Sequence, residues 1–395
     1  MAVQSDGKIV VAGRATIGST FDFALARYNA DGSLDTSFGT GGKVTTAIGT
    51  STDEAYAVAL QSDGKIVVGG RATIGSNFDF ALARYNTDGT LDTSFGTSGK
   101  VTTAISSSHD EIYALAIQPD GAIVAAGRAK TNSYYDFALA RYTASGVLDT
   151  SFDTDGKLTT AIGTRSDEAY GVALQADGKI VAAGRAYMSG YDFAAVRYNS
   201  DGSLDTSFDT DGKVTTKFVT SVDEAYAVAI QADSKIVLAG RVQNGSYYDV
   251  ALARYNTNGS LDTSFDTDGK VTTSISTTTD EAYAVAVQSD AKIVVAGRTT
   301  VGSTFDFALA RYTTSGGLDS SFGTGGMVST AIGTSTDEVY AIAIQPDAKI
   351  VVAGRATIGS NYDFAVARYQ GRNAPVANAE SYSVNEDNLL SVSAP

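Results

Sequence analysis

The stretch DEAYAVALQSDGKIVVGGRATIGSNFDFALARYNTDGTLDTSFGTSGKVTTAIS, running from Asp53 to Ser106, decides the fold of this chain. It predicts four strands: A from Ala55 to Gln61, B from Lys65 to Arg71, C from Phe78 to Tyr85 and D from Lys100 to Ile105. Asp63-Gly64 between A and B is a hairpin signal, because glycine accepts positive φ at no steric cost. Asp88-Gly89 marks the turn after C. No run has a helical period, and each is too short for an ordinary helix.

Outward from this unit, the dipeptide Gly-Arg recurs at Gly13, Gly70, Gly127, Gly184, Gly240, Gly297 and Gly354. The spacing is 57 residues except for one interval of 56, where a residue is lost between Arg185 and Asp192. Seven copies of one small unit imply a repeat architecture. Strand B is apolar on both faces, as in Ile66-Val67-Val68, so it is covered on both sides. Strands A and C carry alanine and glycine, which let neighbouring sheets approach closely. Strand D is threonine-rich and follows a lysine, as suits a wet outer edge. The expected fold is therefore all-β: a seven-bladed β-propeller of four-stranded antiparallel blades. A right-handed β-solenoid is the rival, but its coils are shorter and lack Asp-Gly hairpins.

The strand inventory is unequal. Strands B and C occur seven times, D six times (starting at Lys43, Lys100, Lys157, Lys213, Lys270 and Met327), and A six times plus a stub from Met1 to Gln4. One blade is thus expected to be incomplete by truncation, with the chain starting inside its propeller. The propeller is assigned to residues 1–372, and residues 373–395 to a linker and the cut first strand of another domain.

The unit GKIVVAGR…FALARYNADGSLDTSFGTGGKVTT resembles the delta-60 repeat, a bacterial β-propeller repeat of large exported proteins. FALARY, LD-S-F and GKV recur in that order across residues 1–370. The resemblance implies a propeller in a secreted or cell-surface protein and carries no catalytic residues with it. After Arg372 the segment NAPVANAESYSVNEDNLLSVSAP resembles the opening strand of a bacterial cadherin-like or immunoglobulin-like tandem domain. Such domains are extracellular, and this piece alone is expected to be extended or disordered.

Composition excludes several chemistries. Of 395 residues 43% are hydrophobic, and the net charge is −15. An acidic surface repels phosphate backbones, so no nucleic-acid partner is expected. There is no cysteine, hence no disulfide or thiolate chemistry. No apolar run is long enough for a helical membrane span. The start, MAVQSDGKIVVAG, lacks the basic n-region and long h-region of a signal peptide. The single histidine, His109, reads as a surface residue, because catalysis needs an orienting partner and a pocket.

Repeated charges come next. Each copy has an arginine after the strand-B glycine, an aspartate at the start of C (Asp22, Asp79, Asp136, Asp192, Asp249, Asp306, Asp363) and an arginine near its end. Six copies open strand A with Asp-Glu. Antiparallel pairing brings the Gly-Arg arginine, the C-strand aspartate and the Asp-Glu pair to one end of the blade, where a guanidinium accepts two carboxylates. Recurrence in every blade points to structural pairing.

For calcium the turns Asp-Thr-Asp-Gly offer Asp209, Asp211, Asp266 and Asp268. Calcium wants six or more oxygens, so plain turn chemistry is favoured and no cofactor is expected. Gly-rich turns such as Gly39 to Gly42 precede no helix and do not make a phosphate loop.

The B–C loop differs most between copies. Its polar and aromatic positions Asn132, Tyr134, Tyr135, Tyr187, Tyr191, Asn244, Tyr247 and Tyr248 are the candidate binding residues, since tyrosine supplies contact area at low entropy cost. They are expected on the same face as the D–A loops. The function expected is a non-catalytic extracellular scaffold or adhesion module, monomeric within a longer chain, whose ligand is a protein or a glycan. A carbohydrate-binding propeller is the alternative, and a polysaccharide-active enzyme a lesser one.

Overall fold

A computed structural model describes residues 1–218, 222–371 and, for the backbone, 380–383. Seven sheets follow one another, each four-stranded, antiparallel and ordered A-B-C-D: an all-β seven-bladed propeller. Blades 1 to 7 open at Ala2, Asp53, Asp110, Glu168, Asp223, Asp280 and Asp337. Among the described residues there is no helix, so none is long and apolar enough to cross a membrane.

The chain divides into two compact units, residues 1–188 with 194–213, and residues 189–193 with 214–395. In the first unit, Ile66 and Val68 of strand B face back onto Val10, Phe23, Leu25 and Phe38 of blade 1. Val67 faces forward onto Ile123 and Ala125 of blade 3. The same strand thus feeds two cores, and its doubly apolar pattern follows from that. In the second unit, Val237, Leu252 and Phe265 meet Ile293, Val295 and Tyr312. In blades 2 to 7 the tyrosine that closes strand C is buried and donates its hydroxyl to a strand-D threonine one blade back, as Tyr142 does to Thr103 at 2.8 Å. That partner makes a deeply buried phenol tolerable.

Three features differ from the sequence expectation. Strand B does not stop at Gly-Arg. It runs three residues further, Ile66–Ile74 in blade 2, and strand C starts at once with Asn77–Tyr85. What looked like a loop is a two-residue hairpin whose first residue has positive φ (Gly75 at 65°, Asn132 at 60°), as a type II′ turn requires.

Strand A carries a bulge. Ala55 pairs with Gly70 and Ala57 with Gly69, so Tyr56 has no partner in register. The same skip passes over Tyr113, Tyr170, Tyr226, Tyr283 and Tyr340.

Blade 7, finally, does not lack its fourth strand. Glu380–Ser383 pairs with strand C of that blade, Ala365 opposite Ser383 and Arg368 opposite Glu380. Blade 1 keeps only a two-residue strand A, Ala2–Val3. The rest of the segment resembling a cadherin-like or immunoglobulin-like domain lies outside the described residues.

Candidate functional site

The bulge and the Gly-Arg dipeptide build one device per blade. In blade 3, Glu111 is 3% exposed and accepts Arg128 Nη2 at 3.0 Å, Arg71 Nη1 at 3.0 Å and the Tyr113 hydroxyl at 2.7 Å. Arg128 reaches onward to Glu168 at 3.1 Å, while Glu168 takes Arg185 at 2.9 Å. Arg71, Arg128, Arg241 and Arg298 therefore each clasp the glutamate of their own blade and that of the next. In the first unit the series runs Arg14, Glu54, Arg71, Glu111, Arg128, Glu168, Arg185. In the second it runs Glu224, Arg241, Glu281, Arg298, Glu338, Arg355. The guanidiniums of Arg14, Arg71, Arg128, Arg241, Arg298 and Arg355 also stack on an aromatic side chain at the start of C: Arg128 lies 4.2 Å from the Tyr135 ring and Arg241 4.1 Å from the Tyr248 ring.

The sequence expectation is corrected in one respect. Where an arginine holds two carboxylates, they are glutamates from consecutive blades, not an aspartate and a glutamate of one blade. The aspartate of the Asp-Glu pair is buried and serves the backbone instead: Asp110 Oδ2 accepts the amides of Ile105 and Ser106 at 2.8 and 2.9 Å. Of the C-strand aspartates, Asp136 accepts from Thr131, and Asp249 accepts from Asn244 and Ser274 at 2.8 Å each. Burial and the nearby Asp110 charge raise the pKa of Asp79.

The other end of the blade holds a second tie. Arg84 donates Nε to Asp92 at 2.8 Å, stacks over Phe95 at 4.6 Å and donates to the carbonyl of Ala144 in the next blade. Lys65 closes on Asp92 at 2.9 Å. In blade 4 burial alone would raise the Asp205 pKa, but hydrogen bonds from Ser207 and the charges of Arg197 and Lys179 bring it down to about 2.

Acid sensitivity follows. Burial opposes ionisation of Glu54, Glu111 and Glu338, yet their tyrosine and arginine partners hold them below the ordinary glutamate range. Asp35, Asp92, Asp262 and Asp319 are likewise depressed. A carboxylate depressed in the folded state stabilises above its unfolded pKa of about 4, and that stability is lost as pH falls through the folded value. The raised aspartates, such as Asp79 and Asp306, work in the opposite sense and soften the fall. Denaturation midpoints are expected to stay level from neutral pH to about 5 and to drop steeply between about 4 and 2. A level profile down to pH 2.5 would contradict this account.

The candidate binding residues separate into two groups. Tyr134 and Tyr247 point outward at hairpin tips, 46% and 48% exposed, and Asn132 occupies the tip turn. Tyr135 and Tyr248 instead lie under arginines. The Tyr187 ring sits 4.8 Å from Arg165, Tyr191 bridges to Val222, and Asn244 is spent on Asp249. Sequence reading missed the apolar members of the tips. Ile17, Ile74, Met188 and Val301 are 38–46% exposed at the same hairpins, and Tyr362, 52% exposed, also stacks on Arg355 at 4.2 Å, so every blade carries one large exposed side chain there. For Ile17, Ile74 and Val301 the signal was the end of the B run, hidden because Gly-Arg was read as its terminus.

The D–A links lie beside these tips. Asn77 donates to the carbonyl of Ser107 at 3.1 Å, and the amide of Phe78 donates to His109 Nδ1 at 3.1 Å. His109 therefore orders a hairpin.

The calcium candidates are turn residues. Asp211 and Asp268 accept the amides of Lys213 and Lys270 at 3.0 Å, while Asp209 and Asp266 adopt φ of 47° and 53°. Among the described residues no three His, Cys, Asp or Glu side chains gather as metal donors.

Several solved structures share the fold. A protein from Lactobacillus plantarum is 13% identical with a TM-score of 0.52, over 93% of this chain and 94% of that one. Sqt1 from Chaetomium thermophilum is 13% identical with a TM-score of 0.51, over 94% and 81%. It has also been solved bound to the N-terminus of ribosomal protein L10. A PL25 polysaccharide lyase, an ulvan lyase bound to -[GlcA(1-4)Rha3S]-, is 12% identical with a TM-score of 0.49, over 93% and 90%. The expectation that the chain is not an enzyme is corrected on this point: a catalyst stands among the propellers it is similar to. No curated protein matches the chain in sequence. The model of the β-propeller domain of unknown function DUF5122 matches residues 4–38, 61–95, 118–152, 175–208, 231–265, 288–322 and 345–371, one match per blade, and the chain belongs to that family.

Proposed function

We propose that this propeller is an interaction module of a secreted or cell-surface protein, binding a protein partner through its B–C hairpin tips. One observation carries the reading: each blade holds a large apolar or aromatic side chain at its tip, although such residues are otherwise mostly buried. Aromatic anchors on a rigid scaffold give contact area at little entropic cost. The glutamates beside the tips are buried and paired, so they do not oppose an apolar contact. Export is supported by the likeness of the repeat to delta-60 repeats of large bacterial exported proteins. Sqt1, a propeller that has been solved with a ribosomal protein segment, is a precedent for the class of ligand and shares only the fold.

Tyr134→Ser with Met188→Ser in the first unit, and Tyr247→Ser in the second, test the tips. Immobilised cell-surface protein extract serves as the probe in biolayer interferometry. Loss of one anchor of about 2 kcal/mol is expected to weaken binding more than tenfold, with the melting temperature unchanged. Equal binding by wild type and all variants would remove the tips as the interface.

A further inference from the structure

Strand A, the first strand of each sheet, spends a bulge in blades 2 to 7 to push one tyrosine out of the ladder. Bulges re-aim side chains and are built features of a sheet. The tyrosines so released touch one another. In the first unit the rings of Tyr56, Tyr113 and Tyr170 follow at 5.5 and 5.2 Å, and in the second those of Tyr226, Tyr283 and Tyr340 at 5.2 and 5.6 Å. Tyr56 and Tyr340 are 41% and 47% exposed, and Tyr113, Tyr170, Tyr226 and Tyr283 are half-buried.

These rings are fixed before any ligand arrives. Each hydroxyl of Tyr56, Tyr113, Tyr226, Tyr283 and Tyr340 donates to the glutamate two residues earlier, which is itself held by arginine. The phenol therefore has no donor left to offer, and its ionisation is pushed well above the usual range by burial and the adjacent carboxylate. The glutamates have no free charge to offer either. The first and third strand-A positions after the bulged tyrosine are alanines in nearly every blade, half-exposed at Ala57 and Ala59 in blade 2, and so add little bulk beside the rings.

We propose that each tyrosine strip binds the apolar C–H faces of a neutral, unbranched glycan. An extended peptide would have to pair with the free edge of strand A, and the bulge in that edge breaks the regular ladder such pairing needs. A pyranose keeps its hydroxyls around its rim, in water, while its C–H face covers a ring. Anionic sugars gain nothing, because the arginines are already paired with glutamate. This site is separate from the hairpin tips and stands on a different observation.

Isothermal titration with cellohexaose, laminarihexaose and mannohexaose is the direct test, with an oligogalacturonate hexamer as the charged comparison. At least one neutral hexasaccharide is expected to bind saturably and the galacturonate no better. Tyr113→Phe, which keeps the ring, is expected to bind within about twofold of wild type, and Tyr113→Ala at least tenfold more weakly, a difference of about 1.4 kcal/mol. Tyr56→Ala, at the exposed end of the strip, gives the same test where the central alanine variant fails to fold. Tyr134→Ser is expected to leave sugar binding unchanged, which separates this site from the tips. The proposal is overturned if no neutral hexasaccharide binds, if the galacturonate binds more tightly, or if folded Tyr56→Ala and Tyr113→Ala bind as wild type does.

Discussion

Gly127→Ala is expected to lower stability by about 3 kcal/mol in urea unfolding, at the upper end of what an overpacked site costs. A Cβ on Gly127 would lie 1.8 Å from the carbonyl oxygen of Glu111, a backbone atom that cannot rotate away. Gly70, Gly184, Gly240, Gly297 and Gly354 face the same obstacle at 1.8–1.9 Å. The glycine of Gly-Arg is thus required by the bulge on strand A, whose backbone swings towards it as Tyr113 is expelled. Relief would need the bulge to open, which would also move Glu111 away from its two arginines. The neighbouring glycine in blade 2 is the control. A Cβ on Gly69 would meet the side chain of Leu115 at 3.0 Å, and blade 3 already carries Ala126 at that position. Gly69→Ala is expected to change stability by less than about 1 kcal/mol, since a flexible leucine yields and the unfolded chain loses freedom. If the two substitutions cost the same, the close approach at Gly127 is not what holds the bulge.

These two glycines show where sequence reading stopped. The four strands and seven blades were legible, because alternation, Asp-Gly turns and a 57-residue period leave few other solutions. A bulge leaves a fainter trace. The tyrosine of Asp-Glu-x-Tyr recurs in six copies, but strict alternation absorbs it as one more strand residue, and only the missing register partner reveals that it is turned out. The extension of strand B past Gly-Arg was hidden for the same reason: a glycine that permits a close approach reads like one that ends a strand. Strand D of blade 7 left no trace at all. Glu380–Ser383, sequence ESYS, shares nothing with the Lys-Val-Thr-Thr of the other blades. It completes the sheet through backbone pairing, for which side-chain identity matters little.

Charge clustering at one end of each blade was legible; the partners were not. Strand pairing within a blade can be read from one repeat, whereas an arginine that joins Glu111 to Glu168 spans two. Arg128→Ala tests that bridge and is expected to cost about 3–5 kcal/mol, because it strands buried carboxylates. Glu111 and Glu168 are each 3% exposed, so water does not replace the lost donor. Glu111 retains Arg71, and Glu168 retains Arg185, which places the expected loss towards the lower figure. Arg128→Lys is expected to recover only part of it. A lysine ammonium is a point charge that can serve one glutamate, and it lacks the flat face that lies 4.2 Å over Tyr135. Substitution of both glutamates along with the arginine, Glu111→Gln and Glu168→Gln with Arg128→Met, removes the buried charges and should cost less than Arg128→Ala alone. That ordering distinguishes stranded charge from lost packing: if the triple variant is the least stable of the three, the arginine holds the blades by its bulk and its stack on Tyr135, not by pairing two glutamates.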